Sequence, residues 1–152
     1  NARKLREKRE NPDRLPGVRL PDEIDVLTDG QKSLVAGYFR EPYTITPDVT
    51  VKEGDELSIA GFTWKVFETP GHTIGSCCYY IEKEEVLFSG DTLFAGSYGR
   101  TDFPTGSGRQ IAESVRRLLS TLPDDTMVYP GHMDTTTIGF EKKYNPLSGA
   151  MG

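Results

Sequence analysis

Beyond Pro47 the apolar positions of this chain fall into short runs separated by glycine, proline and charged residues, a pattern of strands. The runs are Leu57 to Ala60 and Phe62 to Thr69, joined at Gly61, then Ser76 to Ile81, Val86 to Ser89 and Met127 to Tyr129. Such close spacing predicts antiparallel neighbours. Between the last two runs the period changes. Ile111, Val115, Leu118, Leu119 and Leu122 share one helical face, with Ser107 as cap and Pro123 as stop, so a helix is predicted to cover the sheet. A final helix is predicted from Thr136 to Tyr144, ending at Asn145-Pro146 because proline disfavours helical geometry in its predecessor.

The first third of the chain is patterned differently. Ala2 to Glu10 is rich in helix formers and holds five basic and two acidic residues, which reads as a solvated helix face stopped by Asn11-Pro12. Proline and glycine from Pro12 to Pro21 predict a loop. Asp22 can cap a helix over Glu23 to Asp29, and a second short one is predicted over Gln31 to Phe39. No internal repeat or low-complexity tract interrupts this order.

With 152 residues the chain is the size of one domain, expected over residues 1–152. A net charge of −5, with 36% hydrophobic and 27% charged residues, predicts a soluble protein without electrostatic bias toward nucleic acid. Small-molecule substrates suit that balance better. No stretch reads as a signal peptide or membrane span, so the cytoplasm is the expected compartment. Cys77 and Cys78 are neighbours, and neighbours on a strand point to opposite faces, so they are expected as two small buried residues without a disulfide. A second Cys/His cluster at zinc spacing is absent, which argues against thiol ligands.

The chemistry sits where strands end. Pro70-Gly71-His72-Thr73, Ser89-Gly90-Asp91-Thr92 and Pro130-Gly131-His132 each place a metal-ligating side chain beside glycine after an apolar run. Neutral imidazole and ionised carboxylate converging from separate segments suit zinc and similar ions, and a neighbouring glycine lets the loops pack closely around them. His72 and His132 are the only histidines, so this pattern is half of a metal site.

At these residues the chain resembles the metallo-β-lactamase superfamily, and within it the glyoxalase-II-like hydrolases. Three further stretches support the resemblance: Leu27 to Leu34 (LTDGQKSL), Gly90 to Phe103 with Pro104 (GDTLFAGSYGRTDFP), and Thr135 to Glu141 (TTTIGFE). The family carries an early His-x-His-x-Asp-His cluster that is not found in this sequence. The resemblance therefore implies an α+β fold, the C-terminal portion of the metallo-β-lactamase αββα sandwich. It implies that His72 joins one metal, Asp91 bridges, and His132 belongs to a second metal, with two ions in the complete protein. Zinc is expected, and iron and manganese accept the same ligands. Tyr98 and Arg100, in the glycine-rich loop after Asp91, are the expected substrate contacts, Arg100 through a substrate carboxylate. The alternative for Arg100 is an ion pair with Asp102.

The implied reaction is hydrolysis of a thioester or ester, with metal-activated water attacking the carbonyl. The helical tail that binds glutathione in glyoxalase II is not expected after Asn145-Pro146-Leu147, which leaves the thioester unspecified. Since the early motif supplies metal ligands, the chain alone is expected to be inactive. The Gly99 to Phe103 run also resembles the mononuclear iron persulfide dioxygenases, the alternative enzyme class. A non-catalytic alternative follows from the fold. Without the early half, one face of the sheet is expected to be uncovered, predicting a homo-oligomer, an interaction module, or a complementing N-terminal segment that rebuilds the site. The first residue is Asn1, in keeping with a processed or shortened product.

Overall fold

The computed structural model describes residues 18–19 and 49–150. The helices expected over Ala2 to Glu10, Glu23 to Asp29 and Gln31 to Phe39 lie outside the described residues. Within the expected loop from Pro12 to Pro21, β1 (Val18–Arg19) forms a short parallel pair with β2 (Val49–Thr50).

The alternating runs form a meander: β3 (Glu56–Ile59), β4 (Phe62–Glu68), β5 (Cys77–Ile81) and β6 (Val86–Gly90), each antiparallel to the next. The turn between β3 and β4 places Ala60 and Gly61 at positive φ (52° and 80°). A small hairpin follows, β7 (Leu93–Phe94) against β8 (Ser97–Tyr98), which the sequence pattern did not predict because two-residue strands carry no period. Helix α1 (Gly108–Thr121) leads to β9 (Met127–Pro130), β10 (Thr136–Thr137) and helix α2 (Ile138–Tyr144).

The six-stranded sheet has the order β10-β9-β6-β5-β4-β3. The antiparallel expectation fails at β9. β9 joins β6 in parallel, not antiparallel, because the whole of α1 intervenes and carries the chain back across the sheet before β9 begins. The final helix also starts later than predicted: Thr136 and Thr137 pair with β9, and Thr137 then caps α2 by accepting from the Phe140 N–H.

Helix α1 matches its sequence pattern. The Ser107 side chain accepts from the Gln110 N–H, and Ile111, Val115, Leu118 and Leu119 are buried. They meet Phe67, Cys78, Tyr80, Leu87 and Val128 from one face of the sheet, with Ile138 of α2 completing the cluster. Cys78 is fully buried and Cys77 only half-buried, and the two form no disulfide. No helix among the described residues is long and apolar enough to cross a membrane.

The opposite face is also apolar. Val66 and Val51 are buried there with Leu57, Cys77 and Tyr79 against them. Beside them Trp64 on β4, Phe88 on β6 and Tyr129 on β9 stack in a row with centroids 5.3 and 5.6 Å apart. Phe88 and Tyr129 remain 38% and 43% exposed. Aliphatic and aromatic residues thus line both faces of one sheet.

Candidate metal centre

Strand polarity brings the three candidate ligands together. β4 and β6 are both antiparallel to β5, and β9 is parallel to β6, so all three run the same way and end at one edge of the sheet. His72 follows β4, Asp91 follows β6 and His132 follows β9. Asp91 Oδ2 lies 3.4 Å from His72 Nε2, and Asp91 Oδ1 lies 3.3 Å from His132 Nε2.

Each loop is fixed by main-chain contacts. Gly71, at φ 144°, lies against the first turn of α1, where an added Cβ would fall 2.3 Å from the Ile111 nitrogen. The Ser107 N–H donates to Gly71 O (2.8 Å), and the Ser114 hydroxyl donates to Pro70 O (2.8 Å). Helix α1 therefore clamps the His72 loop. The Gly131 N–H donates to Gly90 O (2.7 Å), tying the His132 loop to the Asp91 loop. Beneath them the Thr69 and Thr92 hydroxyls are hydrogen-bonded at 2.8 Å.

Two glycines shape the space around Asp91, Gly131 at its carboxylate and Gly99 at its main-chain carbonyl. A Cβ on Gly131 would sit 2.6 Å from Asp91 Oδ1, and one on Gly99 would sit 1.8 Å from Asp91 O. Edge-on aromatic rings flank the imidazoles, Phe103 beside His72 (5.2 Å) and Phe94 beside His132 (5.8 Å). His72 is largely enclosed, whereas the His132 side chain is 70% exposed.

The protonation pattern of His72 follows from its partner. Its Nδ1 lies 2.9 Å from Arg100 O, and a carbonyl oxygen can only accept, so Nδ1 carries the hydrogen. In the neutral ring Nε2 then presents a lone pair to a carboxylate oxygen. Two acceptors facing each other call for a cation between them, either a proton or a metal ion. The spacing suits the metal: an edge of a tetrahedron with ligand bonds of about 2.0–2.2 Å is about 3.4 Å long. Among the described residues, no three His, Cys, Asp or Glu side chains gather around one point that could hold an ion. The donors are arranged with one imidazole to each carboxylate oxygen.

The neighbouring loop holds Tyr98, 37% exposed on β8, and Arg100. The Arg100 guanidinium lies over the Phe103 ring and forks onto Asp102, donating from Nε to Oδ1 (2.6 Å) and from Nη2 to Oδ2. Hydrogen bonding from Arg100 holds the Asp102 carboxyl down at about 2.

Residues 1–132 match the metallo-beta-lactamase superfamily. The chain belongs to that superfamily. It is 50% identical over 137 residues to an uncharacterized protein of Aquifex aeolicus, covering 90% of this chain and 65% of the relative. A hydroxyacylglutathione hydrolase, GloC of Haemophilus influenzae, is 42% identical over 96 residues, covering 63% of this chain and 45% of that protein. The crystal structure of the B3 metallo-beta-lactamase BLEG-1 superposes with a TM-score of 0.78 at 38% identity, over 88% of this chain and 65% of that one. TTHA1623, solved in a di-iron-bound form, gives 0.74 at 34% identity, over 87% and 64%. ETHE1 from Myxococcus xanthus gives 0.63 at 41% identity, over 67% and 47%. The chain thus spans about half to two thirds of the length of the curated relatives it matches first, 52 to 65%. Among the described residues the α+β superfamily fold is present in part, with a mixed sheet and two α-helices.

Sequence reasoning missed four contributors to this candidate site. The Arg100 carbonyl carries no residue-specific signal, because any residue would supply it. Gly99 stood in the glycine-rich loop, but its approach to Asp91 needs the folded hairpin. Glu141 and Asn145, buried below the hairpin, lay within or beside a stretch matched only by resemblance.

Proposed function

We propose that His72, Asp91 and His132 form part of a two-ion hydrolase centre in which Asp91 is shared, and that the complete protein hydrolyses thioesters or esters. One observation carries the reading: the two oxygens of a single carboxylate each face a different imidazole Nε2 at 3.3–3.4 Å. A bound divalent ion, zinc or iron by the donor set, would supply Lewis acidity and lower the pKa of its water. The chain's own residues do the positioning. Arg100 O holds the His72 hydrogen on Nδ1 and leaves Nε2 to face the carboxylate, while Gly99 and Gly131 leave Asp91 its place. Tyr98 and Arg100, on the adjoining loop, are the proposed substrate contacts. A substrate carboxylate competes with Asp102 for Arg100.

Two imidazoles and one carboxylate are too few ligands for two ions. The 152 residues alone are therefore expected to hydrolyse S-lactoylglutathione no faster than buffer. Mixed with a polypeptide supplying the His-x-His-x-Asp-His segment, they are expected to gain zinc-dependent hydrolysis and to retain metal through dialysis, read by elemental mass spectrometry. Asp91→Asn should abolish both gains. Equal metal content and turnover for Asp91→Asn and the parent chain would sink the assignment.

A second reading is favoured by the Gly99 to Phe103 run, a mononuclear iron centre oxidising persulfides with dioxygen. Iron-dependent oxygen uptake with glutathione persulfide in the same mixture, without thioester hydrolysis, would select it.

A further inference from the structure

We propose that Glu141, remote from the ligands in sequence and absent from the centre itself, is a positioning residue that sets the tautomer and aim of His72 through the β7–β8 hairpin. The role in metal binding rests on the hydrolase reading above.

Glu141 is fully buried on α2. Its carboxylate accepts from the Gly96 N–H with both oxygens (3.0 and 3.1 Å), from the Thr136 hydroxyl (2.6 Å) and from the Asn145 amide (2.8 Å). A buried carboxylate is costly unless its oxygens are met in this way. Thr136 and Asn145 lie within or beside the Glu141 helix. Gly96 does not: it is the turn of the hairpin, at φ 65°.

Asn145 adds a second grip by donating to Ser97 O (3.0 Å). Its orientation is locked, because its Oδ1 accepts from the Leu147 N–H (3.0 Å) while its nitrogen serves both Ser97 and Glu141. The hairpin is thus held at its tip. Its other end leans on the candidate ligands: Gly99 covers Asp91, and Arg100 O takes the His72 hydrogen. Only Tyr98 and Gly99 separate the gripped Ser97 from Arg100, so releasing the tip moves the carbonyl that aims the imidazole.

Glu141→Gln conserves volume, but its amide NH2 is met only if the Thr136 hydroxyl turns to accept, and the Gly96 N–H then keeps one acceptor oxygen in place of two. Asn145 offers no alternative, since turning it would lose Ser97 and Leu147. With two histidines in the chain, long-range proton–nitrogen NMR resolves both rings. At a pH where the ring is neutral, the parent chain should carry the His72 hydrogen on Nδ1. In folded Glu141→Gln the Nε2–H tautomer of His72 should appear, and cobalt(II) affinity in the mixture with the His-x-His-x-Asp-His segment should fall about 10–100-fold, the usual cost of losing an outer partner of a ligand. Circular dichroism should stay unchanged.

If Glu141→Gln fails to fold, Asn145→Ala removes the Ser97 grip together with the Asn145 bonds to Glu141 and Leu147, leaves the Glu141 carboxylate on Gly96, and should move the same His72 signal in the same direction. A parental His72 tautomer in either folded variant, however far Tm drops, would overturn the proposal and leave Glu141 a structural residue only. A parent chain that takes up no cobalt even when mixed with the polypeptide supplying the His-x-His-x-Asp-His segment, with a His72 tautomer that still responds to Glu141→Gln, would overturn the metal reading and leave the positioning role standing.

Discussion

Gly131 and Gly99 show how little side chain the candidate centre tolerates around Asp91: a single carbon at either position would overlap the aspartate. The Gly-His and Gly-Asp pairs were legible because they join a ligating residue type to a backbone freedom that few residues have. The Arg100 carbonyl was not legible, since main-chain groups are the same everywhere in a sequence. Cys78 illustrates the same divide. Its adjacency to Cys77 excluded a disulfide, but only the fold shows that burial pushes its thiol up to about 12, against the lowering effect of the Thr69 and Thr92 hydroxyls. An unfolded thiol ionises near about 8.5. The native chain therefore keeps a proton that the unfolded chain loses, so this contribution to stability is intact below pH ~8.5 and falls progressively toward pH ~12. Denaturant melts across that range should show the decline, and Cys78→Ser or Cys78→Ala should flatten it. Ellman's reagent should reach Cys78 only on unfolding.

Helix α1 acts on the site as an element. Its first turn seats against Gly71, one residue from His72, and its cap Ser107 both accepts from Gln110 and donates its own N–H to Gly71 O. Ser107→Ala removes the side-chain cap and keeps the main-chain link. It should cost about 1 kcal/mol of stability, measured by denaturant unfolding, while the His72 NMR signals stay in place. The helix was readable from its 3.6-residue period and from the Ser107 and Pro123 boundaries. The β7–β8 hairpin was not, since two-residue strands have no period to read. The parallel entry of β9 was missed for another reason: strand spacing speaks for neighbours in sequence, whereas β9 pairs with a strand on the far side of a helix.

At the scale of the molecule, the sheet is apolar on both faces and α1 with α2 covers one. Among the described residues, the row of Trp64, Phe88 and Tyr129 on the other face is a half-exposed aromatic surface of the kind that soluble monomers seldom leave open. The chain is expected to self-associate through it and to enhance the fluorescence of an apolar dye. Phe88→Ser with Tyr129→Ser should lower the dye signal and the mass seen by light scattering. A parent chain that is monomeric and binds no dye would contradict this. The alternating runs announced the sheet, but they could not say which face α1 would take.

The parallel junction of β6 and β9 also orders events in time. The meander from β3 to β6 links neighbours in the chain and closes short loops, while β9 reaches β6 only after the whole of α1 has been laid down. Contacts between distant segments carry the larger loop-closure cost and slow folding. The Asp91–His132 half of the centre is therefore expected to assemble after the His72–Asp91 half as the chain folds.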